Sequence, residues 1–226
     1  MKQRCLDAAG NHWGMSEMSA ETVLTTTRSV RKRLDLTRPV DLAVVRECLT
    51  IALQAPSGSN RQQWQWLVVT DAGQRAAIGD VYRRSCEEYL ASEAAAGKLF
   101  ADDPERNAVQ QRVHSSVAAL ADTMGQVPVL LLPCIRTDSL PSGNQAGLWG
   151  SVLPAAWSFM LAARTRGLGT AWTTLHLRYE SEVAKILDLP SDVHQAALIP
   201  TAYYTGTDFK PAPRQPLDEV LHIDRW

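Results

Sequence analysis

Leu42, Val45, Cys48, Leu49, Ala52 and Leu53 recur at helical spacing, which predicts a helix over 39–54 closed by Pro56. A Trp-Gln-Trp-Leu-Val-Val run predicts a strand over 64–70, ended by a turn at Asp71 and Gly73. Ile78, Val81, Tyr82, Tyr89 and Leu90 line one side of a second expected helix over 74–98. Val109, Val113, Val117, Leu120 and Met124 form a third helical stripe that ends at Gly125. The apolar run over 127–135 reads as a buried strand, with Pro128 and Pro133 placing it at an edge or making it fray. Trp149, Val152, Ala156, Phe159, Met160 and Ala163 give the buried face of a long helix over 148–166, capped by Gly167. Two further strands are expected over 170–177 and 196–204, with a short helix over 180–187 between them. Strands and long helices interleave, so the class is α+β or α/β, with helices on both faces of the sheet.

Residues 1–20 read as an N-terminal appendage, with no apolar stretch to make a signal peptide, and 21–226 as a single domain. The segment after position 208 is proline-rich, then alternates apolar and polar residues without a core of its own, so a second subunit is its natural support. The chain has 226 residues, 45% of them apolar and 21% charged, enough to build a core without disulfide or metal staples. A formal net charge of −1 argues against a nucleic-acid binder or an anionic-membrane binder. No apolar run approaches the ~20 residues of a membrane span, and the expected location is cytoplasmic. Cys5, Cys48, Cys86 and Cys134 are scattered without metal-ligand spacing and read as reduced thiols.

Three segments carry candidate chemistry. Arg28, Ser29, Arg31, Lys32 and Arg33 concentrate cations and a hydroxyl in an otherwise neutral chain. They suit a phosphate clamp, because the guanidinium fork matches phosphate oxygens, although a solvated charge run would look the same. Pro56, Ser57, Gly58, Ser59, Asn60 and Gln62 form a loop with many polar donors leading into Trp64; it is neither a nucleophile elbow nor a P-loop. Gly167, Leu168 and Gly169 follow a helix and precede a strand, the reverse of a dinucleotide-binding fingerprint. No Ser-His-Asp arrangement supports a hydrolase.

Taken together, Arg28-Ser29-Val30-Arg31, the 55–64 loop with Asn60, Gln62 and Trp64, Gly167-Leu168-Gly169-Thr170-Ala171-Trp172, and Lys210 with Arg214 and Leu217 resemble the FMN-dependent nitroreductase family. The resemblance runs from about residue 25 to the C-terminus. It implies a central mixed β-sheet flanked by helices in an intertwined homodimer, with the C-terminal arm crossing to the partner. It also implies an FMN cofactor, NADPH or NADH as co-substrate, and hydride transfer to a small electron-poor acceptor by a ping-pong route.

In that resemblance Arg28, Ser29 and Arg214 hold the FMN phosphate, and Arg31 lies at the N1/O2 edge of the flavin. Pro56, Ser57, Gly58, Ser59 and Asn60, with Gln62, line the ring from the other subunit, and the backbone of Thr174, Leu175 and His176 faces N5 and O4. Thr27 stands where many relatives carry arginine, which leaves the clamp either weaker or completed by Arg33 or Lys210. No side-chain nucleophile or general acid is implied, and His176 is the one candidate for tuning. Two other readings stay open. One is a flavin enzyme of the same fold that does not use NAD(P)H, such as a natural-product dehydrogenase; the other is a flavin-free binding protein.

Overall fold

The computed structural model describes residues 18–207 and 209–226, so most of the expected appendage, with Cys5, lies outside the described residues. A helix absent from the sequence reading opens the described chain: α1 (Ala20–Thr26), capped by the Ser19 hydroxyl on the Thr22 amide at 3.1 Å. There follow α2 (Leu42–Ala52), β1 (Trp64–Val69), α3 (Ala72–Ala91), α4 (Pro104–Thr123), β2 (Val129–Arg136) and α5 (Ala146–Arg164). The chain continues through β3 (Leu168–Thr170), α6 (Glu180–Ile186), β4 (Val193–Gln195) and β5 (Ile199–Tyr203). Asp41, Asp71 and Asp103 each cap the helix they precede, so Asp71 starts α3 rather than merely closing a turn.

The five-stranded sheet has the order β1-β2-β5-β3, with β4 beside β2. Every ladder between these strands is antiparallel, and the parallel component is a single bridge between Ser29 and Thr170. Alternation along β2 sorts the core. Leu130, Leu132 and Cys134 face a cluster with Ile78, Tyr82, Leu120 and Met124 from α3, α4 and the turn after α4. Val129 and Leu131 face Val45, Cys48, Phe159 and Met160 from α2 and α5. Helices therefore cover both faces, as the interleaved pattern implies. Cys48, Cys86 and Cys134 are buried free thiols, their pKa values raised by burial. Trp149 and Trp172 pack against core clusters, as filling residues do.

Four expectations shift. β2 is the central strand, not an edge. Pro133 is tolerated because its carbonyl accepts the Ala196 amide at 2.9 Å. Its missing N–H thus points to the same side, at the step between β4 and β5 where no ladder partner stands. The helix expected to reach 98 stops at Ala91, since Ser92 turns extended and its hydroxyl bonds the Tyr89 carbonyl at 2.7 Å. The strand expected over 170–177 ends at Thr170, and Leu175–Tyr179 is a 3-10 turn. Finally, α5 has the length and composition of a membrane span, contrary to the expectation from apolar runs, yet its Phe159 and Met160 are packed in the core.

Backbones meet where α3 passes the Met124–Gln126 turn. A Cβ on Gly79 would lie 2.6 Å from the Gly125 amide nitrogen, and one on Gly125 would lie 3.0 Å from the Ala76 Cα. Gly79→Ala must push α3 off that turn, and the expected loss is about 1–3 kcal/mol of stability. Urea unfolding of the variant checks it; unchanged stability would mean that α3 can retreat freely.

Candidate functional site

The segment after α1 runs along the free edge of β3. The Val30 amide bonds the Thr170 carbonyl at 2.8 Å, and Ser29 bridges Thr170 in parallel fashion. Side chains alternate across such an extended segment. Val30 is buried in the core, whereas Arg28 and Ser29 are exposed. Gly169 is needed here, because a Cβ would lie 3.0 Å from the Val30 side chain. The spacing that looked like a dinucleotide fingerprint therefore serves close packing.

Arg28 Nη1 donates to the Lys210 carbonyl at 3.0 Å, joining residues at opposite ends of the chain. Arg214, expected beside Arg28, bonds the carbonyl of its own neighbour Pro213 instead. Arg33 is also drawn away: its Nε donates to the Thr205 carbonyl at 2.6 Å, and its guanidinium lies over the Phe209 ring at 4.4 Å. Lys210, the other substitute considered for the missing arginine at Thr27, meets Arg28 through its main-chain carbonyl rather than its ammonium.

Arg31 is half-buried, and its Nη1 reaches the Ser116 hydroxyl at 3.4 Å. Burial lowers its pKa from the ordinary value, while the nearby Tyr82 and Tyr89 act in the opposite direction. Among the described residues no carboxylate forms an ion pair with Arg28, Arg31 or Lys32. A set of cations left without fixed anions is chemically suited to an anionic ligand.

The 173–179 segment is gripped by one face of α3. The Tyr82 hydroxyl pairs with the Thr173 hydroxyl at 3.0 Å, and Ser85 Oγ donates to the Leu175 carbonyl at 2.5 Å. Glu88 accepts from Arg178 at 2.5 Å and from Tyr179, and these bonds hold its carboxyl below the ordinary range. The sequence reading placed Tyr82 only on the apolar side of its helix and did not single out Ser85 or Glu88, although their spacing places all three on one helical face. Their grip also explains why a segment with strand-like residues coils into a 3-10 turn. Thr174 is exposed, Leu175 half-buried and His176 fully buried.

The 56–62 loop is built differently. Ser59, Asn60 and Gln62 all have left-handed backbone, with φ of 52, 52 and 51°. Non-glycine residues in that region carry a conformational cost and concentrate where a backbone is held for a purpose. The Gly58 amide donates to Ser151 Oγ of α5 at 3.0 Å, the Gln62 amide to Ser57 Oγ at 3.1 Å, and Gln62 Nε2 to Asn60 Oδ1 at 3.0 Å. Pro56, Ser59 and Asn60 are exposed. These bonds attach the loop to α5, while the cation segment attaches to β3 and Lys210. A surface cavity of about 380 Å³ beside Leu36, Arg38, Arg75 and Pro128 includes none of the expected site residues. Among the described residues no group of three or more His, Cys, Asp or Glu is placed to hold a metal.

With this geometry in view, comparisons with known proteins identify the family. The model described as the Nitroreductase family matches residues 24–203. The chain belongs to that family and is an enzyme of the nitroreductase superfamily. It is 28% identical over 174 residues to an iodotyrosine deiodinase of Thermotoga neapolitana, covering 76% of this chain and 81% of that protein. It is 26% identical over 221 residues to an NADH dehydrogenase of Thermus thermophilus, covering 90% and 95% of the two. A solved variant of the FMN and NADPH-dependent nitroreductase from sphigopyxis sp. strain HMH shares the fold with a TM-score of 0.68 and 25% identity, over 92% of this chain and 100% of that one. Oxidized iodotyrosine deiodinase bound to FMN and 3-iodo-L-tyrosine shares it with a TM-score of 0.67 and 24% identity, over 90% and 97%.

Both ring nitrogens of His176 are buried without a hydrogen-bond partner, and desolvation pushes its pKa down from 6.5 to about 4. The native state therefore holds it neutral while the unfolded chain takes the proton first. Stability is complete above pH 6.5 and declines as pH falls toward 4, by up to about 3 kcal/mol from this residue. Urea unfolding of the protein and of His176→Leu, between about pH 7.5 and about pH 4.5, checks the sign. The variant should lose less stability across that window; equal slopes would remove His176 as the cause.

Proposed function

We propose that the chain is an FMN-dependent oxidoreductase that takes hydride from NAD(P)H and passes it, by a ping-pong route, to a small electron-poor acceptor such as a nitroaromatic or quinone. The observation that carries this reading is the row Arg28, Ser29 and Arg31, an anion-ready edge with no fixed carboxylate partner among the described residues, bridged to Thr170 just ahead of the α3-gripped turn at Thr174. FMN matches such a site in both its parts, with a phosphate at one end and a ring that gains negative charge on reduction at the other. The relatives whose names carry nitroreductase or NADH dehydrogenase support the chemistry.

Bound FMN would supply the two-electron redox centre, and the chain's residues would supply binding, orientation and electrostatics. Arg28 and Ser29, with the Lys210 segment, would hold the phosphate, and Arg214 would join them only by turning from Pro213. Arg31 would face the N1/O2 edge, where a guanidinium in a half-buried setting stabilises negative charge more strongly than it does in water. The backbone of Thr174, Leu175 and His176, fixed by Tyr82 and Ser85, would present its polar groups to the N5/O4 edge. The 56–62 loop stands apart from these groups on α5, so it would complete the site of a second subunit in a homodimer. The exposed apolar side chains of the C-terminal segment, with Ile223 at 74% and Trp226 at 99%, support an arm that packs on that subunit. Catalysis here is positional, with no side chain required as nucleophile or general acid.

The test is the visible spectrum of FMN-reconstituted protein under anaerobic NADH or NADPH. Flavin bands that bleach are expected; bands that persist would assign the flavin to a donor other than nicotinamide, and absence of bound flavin would overturn the reading. Arg31→Met should still bind FMN but slow bleaching by about tenfold to a hundredfold, as loss of a charge-stabilising donor does. An unchanged rate in stopped-flow measurements would remove Arg31 from that role.

A further inference from the structure

A second pair of arginines stands behind the phosphate end of the site. Arg164, in the last turn of α5, is only 6% exposed. Its Nη1 donates to the Tyr204 hydroxyl, and its guanidinium lies 5.4 Å from the Tyr204 ring and 4.8 Å from the Phe209 ring. Its Nε is buried without a hydrogen-bond partner, and among the described residues no carboxylate pairs with it. Arg33 lies 5.5 and 4.4 Å from the same two rings, which are themselves 5.0 Å apart.

Burying a guanidinium with no anion beside it among the described residues is costly, and here the compensation is the faces of two rings, a phenol oxygen and the negative end of α5. A methionine of similar length would fill the space without the desolvation cost. It would not hold the hydroxyl of Tyr204. What the arrangement does fix is the place where the C-terminal segment leaves the sheet. Tyr204 is bridged to Leu34, Gly206 turns the chain with a φ of +80°, and Phe209 is followed at once by Lys210, whose carbonyl receives Arg28.

We propose that Arg164 is a positioning residue for phosphate recognition: by clamping Tyr204 and Phe209 it sets the Lys210 carbonyl that orients the Arg28 guanidinium. The proposal rests on the FMN reading above, and it concerns only the phosphate end of that ligand. The ring end is gripped separately, by Tyr82 and Ser85.

The discriminating experiment is titration of the full-length protein and its variants with FMN and with riboflavin, which lacks the phosphate. Arg164→Met should weaken FMN binding by about tenfold, the loss of one oriented charge-assisted contact, and leave riboflavin binding unchanged. Tyr204→Phe, which removes only the clamped hydroxyl, should shift FMN in the same direction by a smaller factor and serves if Arg164→Met fails to fold. Phe209→Tyr, which keeps the ring, should retain FMN affinity. Unchanged FMN affinity in both clamp variants, or an equal loss for FMN and riboflavin, would overturn the positioning role while the FMN reading stands. A wild-type protein that binds neither flavin would overturn both.

Discussion

Burial of β2 on both faces is the constraint from which the remaining layers follow. Val129 to Ile135 are all buried, and alternate side chains enter different clusters, so neither face of the strand can be left to solvent. One edge is taken by β1 from Leu130 to Ile135, and the other is divided between β5 and β4. That division admits Pro133, frees 196–198 to cross from one strand to the next, and brings Thr173 against Leu198. The candidate site lies at the far edge of the sheet, where the unpaired edge of β3 meets the segment carrying Arg28 and Ser29.

Charge is distributed unevenly over this frame. Exposed ion pairs such as Arg83 with Asp80 and Lys98 with Glu93 lie on α3 and in the turn that follows it, where they contribute little to stability. Arg28, Arg31 and Lys32 instead meet a carbonyl and two serine hydroxyls. Those partners orient a cation without neutralising it, which leaves its positive potential available to a ligand.

Much of the fold was legible from periodicity. The apolar stripes placed α2 to α6 and the principal strands, and the motif order placed the family. Boundaries set by long-range partners were not legible. The strand-like residues after Thr170 give no hint that Ser85 and Tyr82, some ninety positions earlier, hold them in a turn. Pro133 read as an edge signal because its safe place depends on where β4 stops and β5 starts. For the site, residue types were visible while their assignments within the clamp were not: Arg33 and Arg214 are both cations near the right segment, and only folding sends one to Phe209 and the other to Pro213. α1 was hidden because its seven residues carry too short a pattern to stand out beside the preceding stretch.

The contact between Gly79 and Gly125 gives the molecule a fixed gauge. Tyr82 lies about one turn and Ser85 nearly two turns along α3 from Gly79, so the depth at which that helix sits is also the height at which the Thr173–Leu175 backbone is held. A side chain at either position would meet main chain that cannot simply turn aside: one on Gly79 the Gly125 backbone, one on Gly125 the Ala76 backbone. A seam with no polar side chain thus sets the spacing on which a polar grip two turns away depends.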